Sequence, residues 1–551
     1  MIFEFKNYLK DIYNFLKGNT LPDIKKIRSK LVNKFKKFNN KKILIATSAG
    51  GLKPQVIFES ALALSLENSG AEVNFLVCDK VLPVCIMNSY FNTSVESIIE
   101  KKINKSCDSC FYNSKKQLIA PGFKVHKFSD FIDSKELKEI HQKDFSSMNL
   151  KQLRNLELDN IKIGEHAYSG VLRFYAKTKI DDEIRGKELM IEYLKSSLIT
   201  KVVTDNLFKK FSYSRLILNH GIYVPQGVVI DIAKKNEIRT STWCPGYRKN
   251  SYCITNGDTY HRALIYENNS NWENIKFTPK IDNLITTYLQ SRKTGVNDWI
   301  HFYKDKPDFN VKNYFDKINL DINKPTIGLA TSVLWDAQID FPSNFYSDQL
   351  EWINDTIDFF DKNENLQLII RISPAEVNIA KPARQKVYDE VLKRYKTLPK
   401  NIFVIKPEDS ISSYEVLKKC EYIIIYGSRI GIELAAMGKK IIVCGEGFVR
   451  NKNIAIDIKD KKQYLNILTK IANKTIVTEE TDVVRAKKYA YHFFFRRMFE
   501  LKILKERTGK WPNFTYSKNI DRLILENKDI VLEKVLESIF NDKDFIIDQI
   551  N

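Results

Sequence analysis

The chain has 551 residues and a formal net charge of +21, with 43% hydrophobic residues. That length is too great for one core and asks for two domains of roughly 200–300 residues each, while the hydrophobic content excludes global disorder. No apolar run nears the ~18 residues that span a bilayer. The eight cysteines are spaced too irregularly for a disulfide framework.

The first forty residues are the most basic part. Phe5, Leu9, Ile12 and Leu16 share one helical face, and residues 25–42 hold nine Lys or Arg and no acid. An apolar face beside a basic run suits an anionic membrane surface. Without a signal peptide's order of basic, apolar and small residues, the expected location is the cytoplasm, peripheral to the inner membrane. Nucleic acid is the other acceptor of such charge, but no helix-turn-helix, zinc-finger or RNA-binding signature supports it. A second basic-aromatic stretch, residues 485–505, sets Phe493–Phe495 beside Arg496 and Arg497.

Residues 42–47 (KILIAT) read as a strand, residues 48–51 (SAGG) as a small-residue turn, and 55–69 as a helix with Val56, Ala63 and Leu66 facing in. Glu72–Val77 follows as the next strand, so this is a βαβ unit. Gly50 and Gly51 leave room for a substrate to approach the backbone on the acceptor side. Cys85, Cys107 and Cys110 offer three thiols, with Cys78 or His126 as a fourth ligand; one Cys-x-x-Cys is weak support, and no metal is assigned. Residues 130–200 read as helical and charged. They include Glu165 and His166 as a candidate catalytic pair. The α/β rhythm returns with a strand at 215–219, a helix at 228–235 and a strand at 238–243. His220 ends the first of these strands beside Gly221. An imidazole titrates near neutral pH, so His220 is the leading candidate for a catalytic base. His261 is a further acceptor-side candidate.

The second half opens after the polar segment 303–324. Five strands are expected at 326–330, 367–372, 402–405, 421–426 and 440–444. Arg371 closes the second of them. Asp409 or Ser410 is a ready N-cap for the helix after the third. The fourth leads through Gly427 and Ser428 into a helix, so Ser428, Arg429 and Gly431 sit where a doubly wound sheet binds ligands and where helix N–H groups suit a phosphate. Glu433, one turn further on, is placed to hold a ribose. Arg371 or Arg429 supplies positive charge. Helices are expected from about 481 to the end.

Several motifs resemble those of the bacterial capsule and surface-polysaccharide biosynthesis glycosyltransferases. They are KILIATSAGGLKPQ, VCDKVLPVC with a later CDSC, NHGIYVPQG, WCPGYRKNSY with TYHRAL, RISPAE, NIFVIKPEDSISSY and YGSRIGIELAAMGKKIIV. Together they cover most of residues 41–460. Ser373 in RISPAE stands where that family usually has His. The resemblance implies the GT-B fold, with two doubly wound Rossmann-like domains facing a cleft. The corresponding layout is a basic arm at 1–41, an acceptor-side domain at 42–318, a nucleotide-sugar domain at 319–475 and a helical segment at 476–551. It implies a glycosyltransferase moving a sugar from a nucleotide-sugar donor to a surface polysaccharide or lipid-linked glycan. It also places the nucleotide beside Glu408, Ser412 and Ser413. The nucleotide sugar is the substrate, and no cofactor is expected. A polyol-phosphate-type transferase, a sugar-nucleotide epimerase and a basic binding protein are the alternatives.

Overall fold

The computed structural model describes residues 23–31, 41–100, 105–299, 302–303, 306–337, 345–379, 381–476, 481–507 and 512–548. Most of the basic arm, including Phe5, Leu9, Ile12 and Leu16, lies outside these.

The first sheet is built from β1 (Lys42–Ser48), β2 (Glu72–Val77), β3 (Lys124–Lys127), β4 (Arg215–Asn219), β5 (Arg239–Pro245) and β6 (Ser251–Asn256). Their order in space is β3-β2-β1-β4-β5-β6; the pairs are parallel except β5–β6. β1 and β4 read as unbroken apolar runs because helices cover both faces of a doubly wound sheet. The helix Lys53–Asn68 packs on one face, and the long helices Ile163–Tyr175 and Gly186–Lys210 pack on the other. β3, β6 and the length of Gly186–Lys210 exceed what periodicity suggests. β3 (KVHK) is too short and polar to announce itself.

The second sheet comprises β7 (Thr326–Ala330), β8 (Gln367–Arg371), β9 (Ile402–Ile405), β10 (Tyr422–Ile425), β11 (Lys440–Val443) and β12 (Ile456–Asp457). It is wholly parallel, in the order β9-β8-β7-β10-β11-β12. Both sheets thus run third-second-first-fourth-fifth-sixth. That is a doubly wound order, with the winding reversing between β1 and β4 and again between β7 and β10. Two such α/β halves make the GT-B class of fold.

The chain's last part crosses back. β13 (Phe499–Glu500) pairs antiparallel with β6, extending the first sheet. β14 (Leu504–Glu506) and β15 (Phe514–Tyr516) form a small ribbon, so this segment is not purely helical as expected. Tyr516 meets Ser60 at 2.5 Å and Asn68 donates to the Ile524 carbonyl at 2.8 Å, which seats the end of the chain on the first half. Phe493 and Phe494 are 1% and 0% exposed, so the aromatic stretch there is core rather than a membrane-facing surface.

The short helix Ile24–Ser29 docks as well. Ile24 and Ile27 are buried, and Arg28 makes a two-pronged ion pair with Glu67 at 2.8 and 2.9 Å. Among the described residues no helix is long and apolar enough to cross a membrane.

Candidate active site

In a doubly wound sheet, ligands gather beyond the carboxyl ends of the strands where the winding reverses. Here those ends open onto one shared cavity of about 1200 Å³. The first half contributes Asn219 at the end of β4, His220 just after it and Trp243–Pro245 at the end of β5. The second contributes Ser332 after β7, Ser373 after β8, Tyr426–Arg429 after β10 and Glu446 after β11. A smaller recess of about 110 Å³ continues from Ser373, Ser428 and Arg429 toward Arg371, Ser413, Tyr414 and Glu433.

His220 holds a left-handed backbone at φ +62°, followed by Gly221 at φ +85°. A non-glycine residue in that region stores strain, which surrounding structure must sustain. Its backbone N–H donates to the Trp243 carbonyl at 3.1 Å, while Nδ1 is buried with no hydrogen-bond partner. Burial and the nearby Arg173 guanidinium pull its pKa down to about 4, against the pull of Asp336. The ring is therefore neutral at pH 7 and able to accept a proton. His261 lies 6.4 Å away between rings, tilted against Tyr260 at 3.9 Å. Burial, then His220 and Arg262, hold it well below the usual histidine range.

Glu165 lines the cavity from the helix Ile163–Tyr175 and is ion-paired with Lys162 at 3.3 Å. His166, its neighbour in sequence, has a different task. Nε2 meets Asp231 at 2.7 Å and Nδ1 meets the Ile222 carbonyl at 3.0 Å. Burial opposes its charged form most strongly, but the bond to and charge of Asp231, the Ile222 carbonyl and the Glu165 charge together outweigh it and raise its pKa. Both ring nitrogens are taken, and the ring packs so tightly on Gly227 that no side chain fits there. His166 clamps two helices together.

The turn glycines likewise pack against protein. Ser114 fills the space a side chain at Gly50 would need, and the Gly51 N–H donates to Cys110 Sγ at 3.0 Å. Neither glycine lines the cavity, whereas Leu52, Pro54 and Gln55 beside them do.

On the donor side the predicted residues divide into three groups. Ser428 and Arg429 face the cavity. Arg429 stacks its guanidinium 3.9 Å over Tyr247 and pairs with Glu433 at 3.3 Å. Arg371 and Ser413 line the recess. Arg371 is 2% exposed and donates to Ser413 Oγ at 2.8 Å and to the carbonyls of Lys406 and Asp409, so it braces the segment 406–413. The remainder are structural or turned away. Ser412 caps the helix Ser413–Leu417, accepting from the Glu415 N–H at 3.4 Å. Glu408 is exposed. The helix beyond Ser428 is only Ile430–Ala435. Its Gly431 N–H is spent on the Ser428 carbonyl at 3.2 Å, and a side chain at Gly431 would strike Ile425.

Glu433 differs most from expectation. It is 0% exposed, accepting from Arg292 Nε at 3.0 Å and from the Tyr414 hydroxyl. Arg292 in turn pairs with Asp298 at 2.6 Å. A carboxylate held from three sides is a buried structural hub rather than an open ribose acceptor.

Sequence reasoning passed over a group that joins the halves. Arg173 sits among the rings of Tyr90, Tyr223 and Trp335, at 4.9, 4.8 and 5.3 Å. It donates to Tyr90 at 2.7 Å and Tyr223 at 3.3 Å, and Tyr223 donates to Asp336 at 3.0 Å. The signal was present. Glu165, Tyr168, Leu172 and Arg173 recur at helical spacing, which puts them on one face, and Asp336 follows a strand's carboxyl end. Two buried acids were also missed. Glu59 lies behind the cavity wall, accepting from Trp243 Nε1 at 3.0 Å. Burial pushes it up to about 7 despite bonds from Thr47, Trp243 and Gln55. Glu376 of RISPAE accepts from the Val387 N–H at 2.9 Å, and burial raises it too, to about 7. Ser373 lines the cavity and donates its N–H to Thr331 Oγ1 at 3.0 Å.

No family model and no curated protein match the chain. Among solved structures, a KpsC beta Kdo 2,4 transferase from Thermosulfurimonas dismutans is 12% identical, with 60% of this chain and 87% of that one covered at a TM-score of 0.36. A UDP-GlcNAc 2-epimerase from Neisseria meningitidis is 9% identical over 81% and 97%, at 0.25. A sucrose-phosphate synthase from Thermosynechococcus elongatus is 10% identical over 83% and 95%, at 0.27. At TM-scores this low, these likenesses decide nothing; the fold rests on the two sheets themselves.

Proposed function

We propose that this protein is a glycosyltransferase that moves a sugar from a nucleotide-sugar donor to a growing surface polysaccharide or lipid-linked glycan. One observation carries the reading. A single cavity joins the winding-reversal points of both sheets, with a cation, Arg429, on the second-half side and a neutral histidine, His220, on the first-half side. In this reading the nucleotide lies beside Tyr426–Arg429 and the acceptor beside His220 and Glu165. The acceptor oxygen attacks the anomeric carbon and forms the new glycosidic bond. The bond from that carbon to the donor phosphate breaks, and the phosphate leaves with both electrons, stabilised by Arg429. His220 takes the acceptor's proton, and Asp336, whose charge favours the protonated ring, steadies the imidazolium. The basic arm at 25–42 would hold the enzyme at an anionic membrane, where a lipid-linked acceptor resides.

The test is incubation with UDP-, CMP-, GDP- and CDP-linked sugars and a lipid-linked acceptor. Transfer to the acceptor supports the proposal. Release of an epimerised nucleotide sugar without acceptor identifies an epimerase, and transfer of a phosphate-linked group identifies the polyol-phosphate type. No turnover, together with salt-sensitive polyanion binding, leaves a binding protein.

A further inference from the structure

The loop between β5 and β6 carries the middle of the motif WCPGYRKNSY, to which the proposed reaction gives no task. Gly246 donates its N–H to the Ser251 carbonyl at 2.8 Å, so the loop is a short hairpin turn over residues 247–250. The segment that crosses back from the second half packs against it. Tyr247 donates its N–H to Met498 Sδ at 3.4 Å and stacks its ring with that of Phe493, centroids 6.0 Å apart. Arg248 donates from Nε to the Phe494 carbonyl at 2.7 Å and from Nη2 to the Met498 carbonyl at 3.0 Å. Its guanidinium lies 4.3 Å from the Phe495 ring centroid. These contacts hold the turn, and with it Tyr247, in one place.

Tyr247 lines the cavity from the first half, and Arg429 lines it from the second. The Arg429 guanidinium stands 3.9 Å from the centroid of the Tyr247 ring, and Glu433 meets its Nε at 3.3 Å. Among the described residues, no protein hydrogen bond engages its two terminal nitrogens. The choice of a ring here matters. A further carboxylate would occupy N–H donors and cancel the charge. An aromatic face attracts the cation through its quadrupole and leaves the N–H groups free. Held at its face and at Nε, the planar fork keeps both terminal nitrogens for a phosphate, which it can grip with two parallel bonds. A side chain already held in place also loses less rotamer freedom when the ligand arrives.

We infer that Tyr247 is a positioning residue of the donor site, its ring aiming the Arg429 guanidinium at a phosphate of the nucleotide. The inference rests on the proposed donor role of Arg429. It adds a part for the first half in binding a donor held by the second. Donor affinity then depends on how the two halves sit, because a hairpin of one sheet orients the cation of the other.

The test is calorimetry on the full chain with UDP, CMP, GDP and CDP, carried on with the nucleotide that the wild type binds most tightly. Tyr247→Phe keeps the aromatic face and should bind as the wild type does. Tyr247→Leu and Tyr247→Met keep bulk without the face, and should bind roughly tenfold more weakly at an unchanged melting temperature. Arg429→Ala should bind at least as weakly as these. In the Arg429→Ala background, Tyr247→Leu should add almost nothing, because the ring acts only through the guanidinium. The contact is also read in the wild type by NMR, where the Tyr247 ring current should move the Arg429 side-chain protons upfield. The inference is overturned by leucine binding as well as tyrosine, by phenylalanine binding as poorly as leucine, by losses that multiply in the double variant, or by absence of the upfield shift. Each of these leaves the donor site itself standing. If the wild type binds none of the four nucleotides, the donor reading falls and this inference falls with it.

Discussion

The guanidinium of Arg173 stands 3.7 Å from the carboxylate of Asp336, with the Tyr223 hydroxyl between them. One residue belongs to each half, so this pair spans the cavity that the two sheets share. It also sets the charge around His220 from opposite directions. Arg173→Met should raise the His220 pKa from about 4 toward its ordinary 6.5, and Asp336→Asn should lower it further. Titration of the ring by NMR in the two variants checks this. Shifts of the same sign, or none, would show that the pair does not act on His220.

Catalysis gives the second prediction. His220→Ala should reduce turnover by ~10²–10⁴-fold with donor affinity nearly unchanged, as expected for loss of a general base. A folded variant with normal turnover hands the role to Glu165, which faces the same cavity. His166 is not a substitute, because both of its ring nitrogens are bonded within the protein.

This division shows what a sequence can and cannot disclose. Strands β1, β4, β7 and β10 were legible because a strand buried on both faces must be apolar throughout, and such runs bounded by small residues stand out. Their carboxyl ends then located His220, Ser428 and Arg429. Side-chain direction was not legible. Glu165 and His166 are adjacent, yet a helix turns successive residues about 100° apart, so one reaches the cavity and the other the interior. Glu433 looked like a polar residue on an apolar helix because its partners, Arg292 and Tyr414, are distant in sequence. The same distance hid the link between Arg173 and Asp336.

Glu433 supplies the third prediction. Glu433→Ala should lower the melting temperature, because it leaves the buried Arg292, and Arg429 at the cavity wall, short of a partner. Breaking a buried pair costs about 3–5 kcal/mol, and Asp298, still 2.6 Å from Arg292, keeps the loss near the lower end. Thermal melting with and without nucleotide checks this. An unchanged melt combined with weakened nucleotide binding would instead restore the ribose-binding role.

Glu59 predicts a pH dependence. Its carboxyl ionises near 4.5 in the unfolded chain but holds its proton to about 7 in the folded one. The stability it contributes is fully present below 4.5 and is lost as pH rises to about 7. At 1.36 kcal/mol per unit the difference is about 3 kcal/mol. Glu59→Gln keeps the Trp243 hydrogen bond through its amide oxygen and cannot ionise. The variant should therefore gain stability over wild type between pH 5 and 7.5, measured by denaturant unfolding at each pH. Parallel curves for the two proteins would mean that Glu59 is already charged in the folded state.

The membrane arm is the last prediction, and the docked helix changes how it must be tested. Deleting residues 1–41 would remove Ile24 and Ile27 from the core and leave Glu67 without Arg28, so lost binding could reflect damage to the fold. Changing Lys34, Lys36 and Lys37 to Ser avoids this. These lysines lie outside the described residues and belong to the basic run. Each basic residue near an anionic surface contributes ~1 kcal/mol, and the attraction fades as the Debye length falls from ~10 Å at 0.1 M salt to ~3 Å at 1 M. The wild-type chain should therefore sediment with anionic liposomes at low salt and be released at high salt. The triple variant should bind more weakly while keeping its melting temperature and its turnover on a soluble acceptor fragment. If it sediments as well as wild type, the run at 34–37 is not the anchor. Phe493 and Phe494 cannot replace it, since both are buried in the core. If neither protein binds liposomes at low salt, the net charge of +21 serves some partner other than a membrane.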